Sequence, residues 1–67
     1  MIYCVEDDSN IRELLLYTLH NSGFEAKGIE DGEALFAEMA REKPSLILLD
    51  VMLPGENGIE ILKRIRL

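Results

Sequence analysis

The apolar positions of this chain alternate between two spacings. Ile2-Tyr3-Cys4-Val5 is an uninterrupted apolar run that stops at Glu6-Asp7-Asp8. A run without polar alternation predicts a strand covered on both faces, as in a parallel sheet. Ile11, Leu14, Leu15, Thr18 and Leu19 then recur at helical spacing, with Asp8, Ser9 or Asn10 available as N-cap and Glu13 in the first turn. Gly23 follows Asn21-Ser22 and can take the left-handed conformation that ends a helix.

The same alternation continues. Phe24 to Ile29 reads as a second strand, and Asp31-Gly32-Glu33 opens a helix whose Leu35, Phe36, Met39 and Ala40 share a face until Lys43-Pro44 stops it. Ser45 to Leu49 is a third strand ending at Asp50. A loop with Pro54 and Gly55 leads to Asn57, three residues before Glu60 and placed to cap a helix carrying Ile59, Ile61, Leu62 and Ile65. The order β-α-β-α-β-α with short connections predicts right-handed crossovers and a parallel sheet with helices on its faces. The three units share no sequence motif, and no linker or internal boundary divides the chain.

Composition narrows the function classes. The chain has 67 residues with 48% hydrophobic and 30% charged positions, a globular balance and not a disordered one. A core this small stays marginal unless a disulfide, a metal or a second chain assists it, and the single Cys4 excludes an internal disulfide. The net charge of −6 argues against gripping phosphate backbones, so direct nucleic-acid contact is not expected. No apolar run, Leu46 to Leu49 included, exceeds five residues, far short of a membrane span, and no signal segment opens the chain. A soluble, cytoplasmic location is the simplest expectation. The charge is also uneven: residues 1–33 hold eight acids against two bases, whereas residues 34–67 hold five of each.

Candidate chemistry follows from where the acids stand. Glu6-Asp7-Asp8 follows the first strand and Asp50 follows the third. In open α/β sheets the ligand crevice lies beyond the carboxyl ends of the strands. If the first and third strands are neighbours, these carboxylates converge there, repel one another and call for a divalent cation. Hard oxygen donors without a nearby His suit Mg²⁺, with Mn²⁺ as the alternative, and not zinc or copper. A carboxylate beside such a cation can attack phosphorus and form an acyl phosphate. The structural alternatives are simpler. Acids before a helix cap it and complement its dipole, and Asp50 after an apolar strand can be a turn residue. The pairing of both sites at corresponding strand ends favours the chemical reading.

The segments Val5-Glu6-Asp7-Asp8-Ser9-Asn10-Ile11-Arg12-Glu13-Leu14-Leu15 and Leu48-Leu49-Asp50-Val51-Met52-Leu53-Pro54-Gly55-Glu56-Asn57-Gly58 resemble the two N-terminal signatures of response-regulator receiver domains of two-component signalling. Asp31-Gly32-Glu33-Ala34-Leu35 resembles the family's second-helix opening. The likeness spans essentially the whole chain. It implies a flavodoxin-like, doubly wound α/β fold with strand order 2-1-3-4-5, of which residues 1–67 supply the first three βα units as one partial domain. It also implies that Asp50 is the phosphoacceptor for a sensor histidine kinase. Mg²⁺ would then be held by Asp7 directly, by Glu6 through water, by Asp50 and by the Met52 carbonyl, with Asp8 outside the ligand set. Pro54, Gly55 and Gly58 would shape the loop. On this reading the chain is a phosphoacceptor and not an enzyme, and the complete domain phosphorylates itself with Mg²⁺. It relays the signal to an output domain or downstream protein, with the VEDD and LLDVMLPGENG segments leaning toward DNA-binding transcriptional regulators.

The departures from the family pattern matter too. The fourth-strand Ser/Thr and fifth-strand Lys of the family are not among these residues, and Lys63, Arg64 and Arg66 read as the solvated end of the last helix. Leu46 to Leu49 would then present an unpaired apolar edge, favouring a homodimer or assembly with a complementary fragment. A structural half-domain without phosphotransfer is therefore the second reading. A phosphohydrolase with an Asp nucleophile is the third and the poorest, because its second Asp would fall at position 52, which is Met. His20 reads as a surface residue at a helix end, Cys4 as a buried hydrophobe, and Phe36 and Met39 as core.

Overall fold

The computed structural model describes residues 1–49 and 58–66. Its elements are β1 (Ile2–Val5), α1 (Ser9–Asn21), β2 (Ala26–Ile29), α2 (Gly32–Arg41), β3 (Leu46–Leu49) and α3 (Gly58–Arg66). The strands form one parallel sheet in the order β2-β1-β3. Cys4 is paired with Gly28 on one side and Leu48 on the other, and Val5 with Ile29 and Leu49. The alternating α/β architecture read from the sequence is thus the one observed. The strands are shorter than predicted, with β2 beginning at Ala26 and β3 at Leu46.

Because β1 is central and covered on both faces, all four of its side chains are buried. Tyr3 and Val5 point to one face, where they cluster with Ile29, Leu35 and Ile61. Phe36, Met39, Ile47, Leu49 and Ile65 pack against that cluster, so α2 and α3 cover this side. The Tyr3 hydroxyl donates to the Glu42 carbonyl at 2.6 Å and ties the sheet to the end of α2. The Arg64 guanidinium lies 4.1 Å from the centroid of the Phe36 ring, which joins α3 to α2. Arg64 therefore packs on an aromatic face instead of only solvating the helix end.

The helices start and stop for local reasons. Asp8 caps α1, its carboxylate accepting from Asn10 N at 2.9 Å and Ile11 N at 3.1 Å. Asp31 caps α2 in the same way, accepting from Ala34 N at 2.8 Å. Gly23, at φ 88°, ends α1 in a Schellman motif: Gly23 N donates to His20 O and Phe24 N to Leu19 O, both at 3.0 Å. Asn57, the predicted cap of α3, lies outside the described residues.

α1 meets the sheet differently from the sequence pattern. The stripe turned to β1 and β2 is Arg12, Leu15, Leu16 and Leu19, all half-buried, whereas Ile11 and Leu14 are 47% and 64% exposed. Two apolar stripes lie side by side on this helix, and spacing alone does not say which one faces the sheet. On the same face, Leu46 and Leu48 of β3 are exposed, since α1 packs over β1 and β2. In α3, Ile61 is buried and Ile59 exposed; in α2, Ala40 is exposed.

Candidate functional site

The acidic segment sits where β1 leaves the sheet. Glu6 N donates to Ile29 O at 2.9 Å, so the ladder to β2 runs one residue past β1 before the chain turns. Glu6 is half-buried, and its Oε2 accepts from Asp8 N at 3.2 Å. Asp7 is exposed. Asp8 caps the α1 N-terminus, its carboxylate accepting from the first turn of the helix. The three adjacent acids thus have separate uses. Asp8 builds the helix, Glu6 braces the turn, and Asp7 faces solvent from a fixed backbone.

The parallel register carries the spatial argument. Val5 and Leu49 are paired across β1 and β3, and they are the residues that immediately precede Glu6 and Asp50 in the sequence. Beside this sheet end lies a cleft of about 370 Å³ lined by Val5, Glu6, Leu15, Leu48 and Leu49, whose walls are apolar apart from Glu6. Asp50 and Met52, the predicted phosphoacceptor and carbonyl ligand, lie outside the described residues, as do Pro54 and Gly55. Glu6 and Asp7 are the two predicted ligands described, and among the described residues no group of three or more His, Cys, Asp or Glu is poised to hold a metal.

The donor chemistry at this end of the sheet fits a hard cation. Glu6 and Asp7 offer carboxylate oxygen, the Cys4 thiol is buried within β1, and His20 stands at the far end of α1 with Nε2 3.1 Å from the Ala26 carbonyl. Burial also raises the Cys4 thiol above its ordinary pKa, which keeps it protonated and a poor ligand. No soft donor competes at the acidic turn among the described residues.

Two features of this turn escaped the sequence reading. Arg12 Nη1 donates to the Glu6 carbonyl at 2.7 Å and reaches the Asp7 carbonyl at 3.5 Å. Gly28, on the strand beneath, lies against the aliphatic stem of Arg12. The available signal was an arginine at the same helical spacing as Leu15, Leu16 and Leu19, an expensive place for a charge without a partner. No helix among the described residues is long and apolar enough to cross a membrane.

Comparison with known proteins agrees with this geometry. The alkaline phosphatase synthesis transcriptional regulatory protein PhoP of Bacillus subtilis (strain 168) is 45% identical over 65 residues, 97% of this chain but 27% of that protein. The receiver domain of NtrX from Brucella abortus superposes with a TM-score of 0.92 at 29% identity, over 98% of this chain and 57% of the other. The response regulator TrrA of Thermotoga maritima, solved in complex with Mg(2+)-BeF, gives 0.91 at 37% identity over 97% of this chain and 56% of its own. TrrA has also been solved in complex with the histidine kinase ThkA. The chain thus spans just over a quarter of PhoP and somewhat more than half of the two solved receiver chains. The model of the response regulator receiver domain matches residues 2–67. With that match and the β2-β1-β3 parallel sheet, the chain belongs to the response regulator receiver domain family of two-component signalling.

Proposed function

We propose that this chain supplies the acceptor half of a phosphorelay receiver, taking a phosphoryl group on Asp50 from the phosphohistidine of a sensor histidine kinase. The observation that carries the reading is the pairing of Val5 with Leu49, which aligns the strand ends that lead into Glu6-Asp7 and into Asp50. A carboxylate oxygen of Asp50 attacks phosphorus, the phosphorus–nitrogen bond breaks, and the imidazole leaves with the electron pair. The carboxylates of Asp7 and Asp50, the Met52 carbonyl and, through water, Glu6 would hold Mg²⁺, which would supply neutralisation of the charge shared by the acceptor and the phosphoryl oxygens. Glu6 and Asp7 would hold and orient the cation, on a backbone that Asp8 fixes through the α1 cap. The chain is an acceptor and not a turnover catalyst. Its output is transcriptional, by analogy with PhoP, and passes through a further domain or partner.

Incubation with Mg²⁺ and acetyl phosphate, read by intact mass, tests this. One phosphoryl group is gained with Mg²⁺, none with a chelator and none in Asp50→Ala. No gain in the unaltered chain refutes the acceptor role. A second reading, self-assembly through β3, is favoured by Leu46 at 51% and Leu48 at 38% exposure on the sheet face that α1 leaves uncovered. Light scattering across a dilution series shows a concentration-dependent mass if it holds, and a monodisperse monomer throughout if it does not.

A further inference from the structure

We propose that Arg12 is the positioning residue of the acidic turn: it holds the main chain of Glu6 and Asp7 so that their carboxylates, and not their carbonyl oxygens, serve as cation ligands. This rests on the Mg²⁺ reading above. Arg12 makes one short side-chain bond to the turn, a longer second contact beside it, and the first backbone bond of α1. Its Nη1 donates to Glu6 O at 2.7 Å and reaches Asp7 O at 3.5 Å, and its own N–H donates to Asp8 O at 2.9 Å. The Glu6 contact is as short as a charge-assisted hydrogen bond should be. Carbonyl oxygens already engaged by a guanidinium are poor ligands for a second cation, so ligation from this turn falls to the side chains.

The sheet is shaped to admit that arginine. A Cβ at position 28 would stand 2.9 Å from both Cγ and Cδ of Arg12 and 3.0 Å from Leu16 Cδ1. The two approaches to Arg12 are shorter than real Cβ contacts, and the one to Leu16 is tight. Gly23 is the sole glycine with positive φ among the described residues, so backbone conformation does not require glycine at 28. The space it leaves is filled by the Arg12 stem, which lies against β2 while the guanidinium reaches the turn. Glu6 N is held from the same strand, by Ile29 O. β2 and α1 together therefore fix both sides of the Glu6 peptide.

The test is Mn²⁺ alone, titrated into the 67-residue chain and into Arg12→Met, Arg12→Lys, Gly28→Ala and Asp50→Ala, with folding checked by circular dichroism. Two readouts are followed: the Mn²⁺ dissociation constant, and the amide shifts of Glu6 to Asp8 without metal. Arg12→Met is expected to weaken Mn²⁺ binding about tenfold, as loss of an outer-shell partner typically does, and to shift the amides of the turn. Arg12→Lys keeps the charge but loses the fork, so it is also expected to weaken binding; it serves if Arg12→Met does not fold. Gly28→Ala does the same by displacing the stem, and its effect shrinks when combined with Arg12→Met. Asp50→Ala weakens binding and leaves the Glu6 to Asp8 shifts as in the parent. Unchanged or tighter Mn²⁺ binding in the folded Arg12 variants overturns the positioning role and leaves the metal reading intact. An unaltered chain that binds no Mn²⁺ overturns both.

Discussion

Tyr3→Phe isolates one hydrogen bond between the central strand and α2. Tyr3 is 1% exposed, and Phe keeps its ring while removing the hydroxyl that donates to Glu42 O at 2.6 Å. The second contact, to Glu38 O at 3.5 Å, is at the outer limit of hydrogen bonding and adds little. A neutral hydrogen bond contributes about 0.5–1.5 kcal/mol net. Glu42 is exposed at the α2 C-cap, so its carbonyl can turn to water and the full penalty of an orphaned acceptor is avoided. The expected loss is about 1 kcal/mol at neutral pH. In a domain of this size that is a fall in Tm of about 4–8 °C.

The same residue sets a pH signature. Burial, then the carboxylates of Glu42 and Glu38, raises the Tyr3 phenol above its ordinary 10.0. The fold therefore favours the neutral phenol, and this contribution is complete below pH 10.0 and lost as pH rises through the folded pKa. Tyr3→Phe has no such proton, so the stability gap between parent and variant narrows above pH 10.0. Urea unfolding followed by far-UV circular dichroism across pH measures the gap. Phenolate absorbance in a Tyr17→Phe background reads the Tyr3 titration alone. A variant as stable as its parent at neutral pH, or a gap that widens in alkali, refutes the reasoning.

Ile61, 0% exposed, anchors α3 to the core, and Ile61→Ala is expected to cost about 2–5 kcal/mol, seen as lost helical signal and a lower urea midpoint. Asp8→Ala removes two bonds to the first turn of α1 and should cost about 0.5–2 kcal/mol, with Asp8→Asn closer to the parent; equal stability of Asp8→Ala speaks against the cap. Glu38 is held below its ordinary 4.5 chiefly by the hydrogen bond from Lys27 Nζ at 2.8 Å. Its contribution is present above pH 4.5 and lost as pH falls through the folded pKa, so Lys27→Met should flatten the acid limb of a stability–pH curve.

How much of this was readable from the chain depends on the range of the interaction. The unbroken Ile2 to Val5 run marks a strand buried on both faces, and β1 is buried throughout because β2 and β3 flank it and helices cover it. Caps are set by neighbouring residues, so Asp31 and Gly23 were recognisable by type and spacing. Asp8 could be read both as cap and as acid, and its two bonds to α1 show the cap. The face of α1 was not legible, because Ile11 and Leu14 belong to one apolar stripe and Leu15, Leu16 and Leu19 to another, and only packing against β2 selects between them. Arg12 and Gly28 stayed hidden for the same reason. Their contact joins a helix to a strand far along the chain, and neither residue alone carries a motif.

The position of β1 between its two partners also favours an order of assembly. Its amino-terminal residue, Ile2, must meet Ala26 on one side and Leu46 on the other. The chain segment closed by the second meeting is nearly twice as long as the first, a difference of about 0.5 kcal/mol in closure entropy. The β1-α1-β2 unit is accordingly the expected nucleus, with β3 and α3 condensing on it later. Substitutions around Cys4 and Gly28 would then slow folding, whereas substitutions in α3 would mainly hasten unfolding. The acidic turn is bonded to α1 and β2, so it takes shape with that nucleus, before the strand that leads into Asp50 has docked.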